Sequence, residues 1–369
     1  MTVKIATVNL GSSSIRLDIF AISGGKSKRE ASLRQEIGLR RPEEVCAEFF
    51  EAHRSGNGCV AHRVVHGGRM FTTSVVIDAG VEQEIMRLSP LAPLHNPAAL
   101  ACIRSCREAL EGRVPQIAVF DTAFFAALPA VASTYALPPD LCAAHGIHRY
   151  GFHGLAHRAM WRRWSELRPD LPGGSRLGAF QLGSGCPAAA IGQGRPLDTS
   201  MGFSPLEGLV MATRGGDLDP QIMPFLLRVA GMGVAEVEAL LNGGAGLRSM
   251  ARTTDLRDLA GSKDPLERLA FDLYCYRARK YLGAYAAILG GIDGVVFGGG
   301  VGEHVPEVRA AILEGMGWCG IELDAAANDA AVGHESRIST PASTVAAWVV
   351  PVDEGTILAE EAMNLLNEH

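Results

Sequence analysis

The chain has no excess of positive charge. Its 34 Lys and Arg stand against 40 Asp and Glu, a formal net charge of −6 over 369 residues. That balance offers no basic face to nucleic acid and no pull toward an anionic membrane. An unbroken apolar run of about 18 residues is also missing. The nearest approach, residues 284–301, is interrupted by Asp293 and several glycines. Residues 1–10 enter a strand pattern without the zones of a signal peptide. None of the eight cysteines belongs to a CxxC pair, which points to reduced thiols in the cytoplasm. Cys102 and Cys106 share a helical face, but no histidine nearby completes a metal set, so they read as core. Low-complexity segments and flexible linkers are absent. Gly24-Gly25-Lys26-Ser27 looks like the tail of a Walker A loop, but the first glycine of that motif would fall on Phe20, so it is a decoy.

What is present is an ordinary globular composition, 47% hydrophobic and 20% charged. The length favours two domains. Strand patterns cover residues 3–8, 15–20, 59–66, 116–120, 177–191, 294–297 and 345–350, with 23–29 read as a polar turn. Helical patterns cover 97–110, from 154 through 164, 265–289 and the last residues to 367. Asn96 with Pro97 reads as an N-cap and first helical residue, and Asp219-Pro220 as the start of another helix. Helices alternate with strands, so the class is α/β. One hairpin recurs: Asn9-Leu10-Gly11-Ser12 lines up with Gln181-Leu182-Gly183-Ser184, each after a short apolar strand. Glycine lets such a turn approach a ligand closely, and successive backbone N–H groups with serine hydroxyls suit phosphate oxygens. The recurrence points to two related halves handling one polyphosphate, against the plainer reading of two tight hairpins.

Single charged residues stand at strand ends or among glycines. Arg63 and Val65 fall on one face of a strand, a cation beside a branched apolar side chain. That pair suits a small carboxylate with a short alkyl tail; the alternative is a strand-edge salt bridge. Arg214 precedes Gly215-Gly216, where little would bury it; it is a phosphate clamp or a solvated loop charge. His153 lies between Phe152 and Gly154 at a helix start, where anions are favoured, or it simply caps that helix. Asp121 and Glu354 follow apolar strands, where ligands of α/β sheets gather. Two carboxylates there fit Mg²⁺ held partly through water, or helix capping.

These strings together resemble the acetate kinase family, within the actin, hexokinase and sugar-kinase superfamily. The resemblance rests on Asn9 to Ser14, His62 to Gly68, Pro90 to Pro97, Val119 to Phe124, Arg149 to Gly154, Asp198 to Gly208 and Thr213 to Pro220. Residues 255–257 and 299–303 add weaker matches. It implies a duplicated ribonuclease-H-like (actin-like ATPase) two-domain α/β fold with an active-site cleft between the domains. Residues 1–121 plus 356–369 would form one domain, and 122–355 a second that binds nucleotide and dimerises. It implies transfer of the ATP γ-phosphate to acetate, giving acetyl phosphate and ADP, with Mg²⁺ or Mn²⁺, in a cytoplasmic homodimer. Arg63, Asp121, His153 and Arg214 would be catalytic. Arg63, Val65, Leu94, His95, Phe152 and Pro205 would bind acetate. Ser12, Ser14, Arg16, Gln181, Leu182, Gly183, Ser184, Gly185, Asp255, Leu256, Arg257, Gly300, Val301, Gly302 and His304 would bind nucleotide. Asn9, Asp121 and Glu354 would serve the metal.

The chain departs from the family pattern in places. Gln181-Leu182-Gly183-Ser184-Gly185 replaces His-Leu-Gly-Asn-Gly, His304 replaces an asparagine near the adenine, Arg16 a lysine, and Gly355 an acidic residue. These changes leave open a different donor such as pyrophosphate, and a non-catalytic nucleotide sensor. Val65 leaves open propionate as a poorer alternative to acetate, since one methylene is worth only ~1–3 kcal/mol.

Overall fold

The structure, a computed structural model, describes residues 2–11, 14–24, 26–38, 40–53, 56–93 and 95–368. Its chain forms two compact units. The first takes the described residues of Met1–Ala126, Phe152–Ala159 and Asp353–His369; the second takes Ala127–Gly151 and Met160–Val352. The principal helices are α1 (Pro42–Ala52), α2 (Asn96–Ala109), α3 (Gly154–Leu167), α4 (Pro265–Ile288), α5 (Gly299–His304), α6 (Pro306–Leu313) and α7 (Glu354–Glu368). No helix among the described residues is long and apolar enough to cross a membrane. All eight cysteines are free, and Cys102 and Cys106 are buried in the core as expected.

The first unit holds strands β1 (Val3–Leu10), β2 (Ser14–Ser23), β3 (Lys26–Glu36), β4 (Asn57–Val64), β5 (Val75–Val76) and β6 (Gln116–Phe120). They form one sheet in the order β3-β2-β1-β4-β6-β5. β1, β4 and β6 are parallel; the pairings of β2, β3 and β5 are antiparallel. The two-residue period of β1 divides between two apolar layers. Ala6, Val8 and Leu10 pack with Val45, Cys46, Phe49 and Phe50 of α1 and with Cys102, Cys106 and Ala109 of α2. Ile5 packs on the opposite side with Ile357, Leu358 and Ala362 of α7. Covering both faces explains why the central strands read as continuous apolar runs.

The polar turn expected over 23–29 is a correction. β2 runs to Ser23, the chain reverses after Gly24 (φ +56), and β3 begins at Lys26. β3 is an edge strand rich in Lys, Arg and Glu, a composition that discourages further strand pairing and hides the strand from an apolar-pattern search.

The second unit holds β7 (Arg176–Gln181), β8 (Ala188–Gly192), β9 (Arg195–Thr199), β10 (Gly294–Gly298), β11 (Ser336–Arg337) and β12 (Ala346–Val349), ordered β11-β12-β10-β7-β8-β9. Taken from its other end, this sheet repeats the first strand for strand, with the same direction at every pairing. The internal duplication is therefore a property of the backbone, and the fold is a duplicated actin-like one. Asn9 lies at the end of β1 and Gln181 at the end of β7, as the hairpin alignment required. Tyr274, Ala278, Leu282 and Tyr285 form the buried stripe of α4.

Candidate active site

The parallel strands β1, β4 and β6 bring Asn9, Arg63 and Asp121 to one end of the first sheet. Arg63 is the second-last residue of β4, and Asp121 follows β6 directly. This is the carboxyl end, where α/β sheets leave room for ligands. Arg63 is only 7% exposed. Its Nε and Nη2 donate to Asp121 Oδ2 at 2.9 and 2.6 Å. Its Nη1 donates to Asn9 Oδ1 at 3.2 Å and to the Leu10 carbonyl at 3.3 Å. Asn9 in turn donates from Nδ2 to Glu354 Oε2 at 2.6 Å, and that oxygen lies 3.9 Å from Arg63 Nη1. Burial works against the Arg63 charge, but Asp121 and then Glu354 outweigh it and raise the pKa. Asp121 Oδ1 is buried and has no hydrogen-bond partner. Asp121 therefore pairs with Arg63 and is not a simple helix cap.

His153 stands beside this group. Arg63 Nη2 lies 3.3 Å from His153 Nδ1. A guanidinium can only donate, so Nδ1 accepts and a neutral ring carries its proton on Nε2. His153 has φ +57, a left-handed conformation whose cost, about 1–3 kcal/mol, is characteristic of functional positions. The start of α3 is pressed onto the Asp121 main chain: a Cβ at Gly154 would lie 2.0 Å from the Asp121 carbonyl oxygen.

Next to Arg63, Val65 and Phe152 are buried, and the Phe152 ring meets His66 at 5.7 Å. The His66 main chain is gripped by Asn96, whose Oδ1 accepts from the His66 N–H at 3.2 Å and whose Nδ2 donates to its carbonyl at 3.0 Å. Asn96 is thus the first residue of α2 and His95 its N-cap, one residue from the sequence expectation. The Asn96 side chain is turned inward to hold His66 and does not cap the helix. Burial pushes His66 down to about 4. Ser12 and Leu94, expected phosphate-loop and acetate-pocket residues, lie outside the described residues. The Ser14 carbonyl accepts from the Gly11 N–H at 2.9 Å, closing the first hairpin. Arg16, expected to face nucleotide phosphates, pairs with Asp18 at 3.1 Å.

The second unit gathers its own candidates. Leu182 N–H donates to the Gly298 carbonyl, and Gly183 N–H to that of Gly185. Val301 N–H donates to the Leu182 carbonyl at 2.9 Å, setting Gly300, Val301 and Gly302 of α5 beside the Gln181–Gly185 hairpin. Ala212 N–H reaches the Ser184 carbonyl at 3.4 Å and brings the Arg214 loop to the same place. Arg214 is half-buried, not solvated as its glycine neighbours suggested, and its Nη1 donates to the Pro205 carbonyl at 2.8 Å. Desolvation lowers its pKa. No atom lies within 4 Å of a Cβ position at Gly300, so that surface is open. Leu256 is buried, while Asp255 and Arg257 pair with each other at 2.9 Å. His304 is exposed, its Nδ1 3.1 Å from the Gly300 carbonyl.

Arg309 was missed by sequence reasoning. It is fully buried and donates to the carbonyls of Gly302, Asn328 and Ala331 at 2.7–2.8 Å and to Asn328 Oδ1 at 2.9 Å. It thereby anchors the end of α5. An arginine on the buried stripe of a helical pattern is the signal that finds it. Among the described residues, no cluster of three or more His, Cys, Asp or Glu is placed to hold a metal by itself.

Known proteins resemble this chain over most of its length. Residues 46–360 match the acetokinase family. An acetate kinase of Solibacter usitatus is 46% identical over 312 residues, covering 83% of this chain and 75% of that one. An acetate kinase of Streptomyces coelicolor is 39% identical, covering 99% and 97%. The crystal structure of Porphyromonas gingivalis acetate kinase superposes with a TM-score of 0.88 at 34% identity, covering 99% of this chain and 100% of that one.

Proposed function

The chain belongs to the acetokinase family and its activity is that of an acetate kinase, and from that premise we propose that Arg63, Asp121, Asn9, Glu354 and His153 form its catalytic group. Arg214, near Pro205, is the phosphate-binding guanidinium of the second unit. The buried Arg63 with its fixed partners is the observation that carries this reading.

Acetate, with a carboxyl pKa near ~4, is an anion at neutral pH, so the acceptor needs no general base. One carboxylate oxygen attacks the γ-phosphorus in line, the bond from phosphorus to the β–γ bridging oxygen breaks, and its electrons leave with ADP. The obstacle is charge repulsion between the anion and the polyphosphate. Arg63 lowers it at the acceptor, and its hydrogen bonds to Asp121 and Asn9 remove the need to reorganise during the reaction. Nε2–H of His153 is the donor for the equatorial oxygens of the phosphoryl group in flight. Val65 and Phe152 wall the methyl group.

ATP use follows from family membership, and Mg²⁺ accompanies it in this reading. The donor set fits: Asp121 Oδ1 is buried without a partner, and Asp121, Glu354 and Asn9 offer only oxygens, the preference of a hard cation held jointly with substrate phosphates. When bound, that ion neutralises β- and γ-phosphate charge. The eight free thiols support a cytoplasmic setting, and exposed Leu266, Leu269 and Tyr276 on α4 support a homodimer.

Acetyl phosphate trapped as the hydroxamate, with Mg²⁺, acetate and ATP, tests the roles. His153→Ala should lower kcat by about 10²–10³-fold with KM for acetate within about threefold; an unchanged kcat removes His153 from the mechanism. Pyrophosphate in place of ATP should give no signal, and a faster rate with it would overturn the donor.

A further inference from the structure

A second layer of charge lies behind Glu354, and the reaction as described does not use it. Asp18 of β2 is completely buried. Arg16 Nε stands 3.1 Å from its Oδ2 and Arg29 Nε 3.1 Å from its Oδ1. Arg29 Nη2 also donates to both oxygens of Asp353, at 2.6 and 2.8 Å. Asp353 immediately precedes Glu354. Its Oδ2 accepts from Thr356 Oγ1 at 2.7 Å and its Oδ1 from the Thr356 N–H at 3.3 Å, so it also organises the first turn of α7.

Three features show that this cluster is built to seat the helix. The β2–β3 ladder shifts register between Ile19 and Phe20, so that Phe20 faces Arg29 and not Glu30. A bulge re-aims a side chain, and here it puts a cation on the sheet face that α7 covers. The Arg29 guanidinium lies over the Phe20 ring, 4.8 Å from its centroid. Finally, a Cβ at Gly355 would lie 2.6 Å from Asp18 Oδ2. A side chain there would push against the buried Asp18 carboxylate, so the glycine lets the helix start come down onto it.

We propose that Arg29 is a positioning residue for Glu354: by tying Asp353 to Asp18 it fixes the start of α7 and holds the Glu354 carboxylate at Asn9, ready for a divalent cation. The inference rests on the reading of Glu354 as a cation-associated carboxylate. Residues one shell removed from a metal commonly alter its affinity by about 10–100-fold, which sets the size of the effect.

Mn²⁺ is the probe, its dissociation constant read by electron paramagnetic resonance on the full chain, beside the apparent KM for Mg²⁺ and for acetate. Arg29→Met should weaken Mn²⁺ binding about tenfold and raise the Mg²⁺ KM in parallel, with the acetate KM within about twofold. Arg29→Lys, which keeps the charge but cannot span both aspartates, should recover part of the loss. Should Arg29→Met fail to fold, Asp353→Asn takes its place and should show the same direction. Mn²⁺ affinity equal to wild type in a variant that only melts earlier would overturn the positioning role. Glu354→Gln separates the two levels. If Glu354→Gln leaves Mn²⁺ binding intact, the cation reading itself falls. If it weakens binding and the Arg29 variants do not, only the role of Arg29 falls.

Discussion

A guanidinium can stay inside the first unit of this protein because every neighbour of Arg63 is an acceptor: the Asp121 carboxylate, the Asn9 amide oxygen, the Leu10 carbonyl and the imine nitrogen of His153. Burying such a cation without them would be prohibitive. Arg63, Asp121 and His153 stand out in the sequence as charged or titratable residues at a strand end or beside a glycine, and the fold brings the three together. The inward turn of Asn96 was not legible, since Asn-Pro before a helix is written the same way whether the amide caps or reaches elsewhere. Arg29 was hidden for another reason: its strand reads as a polar loop until the β2 ladder is seen. Beside Arg63, Val65 is buried, and in the proposed reading its bulk limits the length of acid that fits. Val65→Ala should raise the ratio of kcat/KM for propionate over acetate by an amount corresponding to ~1–3 kcal/mol. Hydroxamate assays on both acids read it, and an unaltered ratio would remove Val65 from the pocket.

At the scale of elements, the repeated sheet explains both what could be read and where reading stopped. Apolar strands β1, β4, β6, β7, β10 and β12 announce themselves because helices bury them on both faces. Edge strands such as β3 and the two-residue β5 and β11 carry no apolar period, and only their ladders with a neighbour define them. The same repeat shows how two equal frameworks acquired unequal chemistry. β4 ends on the Arg63 pair, whereas β10 ends on Gly298, whose absent Cβ would meet Val352 at 2.5 Å. The first sheet keeps its ion pair, and the second ends in a glycine loop running into α5. The start of α3 is an exacting junction. Gly154→Ala must displace either the helix or the Asp121 carbonyl, an overpacking that costs about 1–3 kcal/mol. Its urea midpoint should fall and its kcat should fall further, because Asp121 moves with its main chain. Wild-type values for both would contradict the contact.

For the molecule as a whole, the placement of buried histidines makes the two units unequal toward acid. His62, His66 and His157 are all buried in the first unit, whereas the second holds no fully buried histidine among the described residues. Burial lowers His62 and His66 to about 4 and His157 to about 3. The folded first unit therefore keeps these rings neutral, while an unfolded chain would protonate them near ~6.5. Their contribution is fully present above that value and is lost as pH falls toward 4 and then 3. Each histidine takes away up to ~1.4 kcal/mol per pH unit within its window, so three acting together give a steep loss. Acid should open the unit that carries Arg63 while the second unit is still folded, and unfolding at low pH should not be two-state. Hydrogen exchange at pH 5 and pH 7.5, corrected for the intrinsic rate, measures this. Amides of β1, β4 and β6 should lose protection between the two, and those of β7 and β10 should keep theirs. Equal loss in both sheets would mean that the units unfold as one and that the histidines do not set the acid limit.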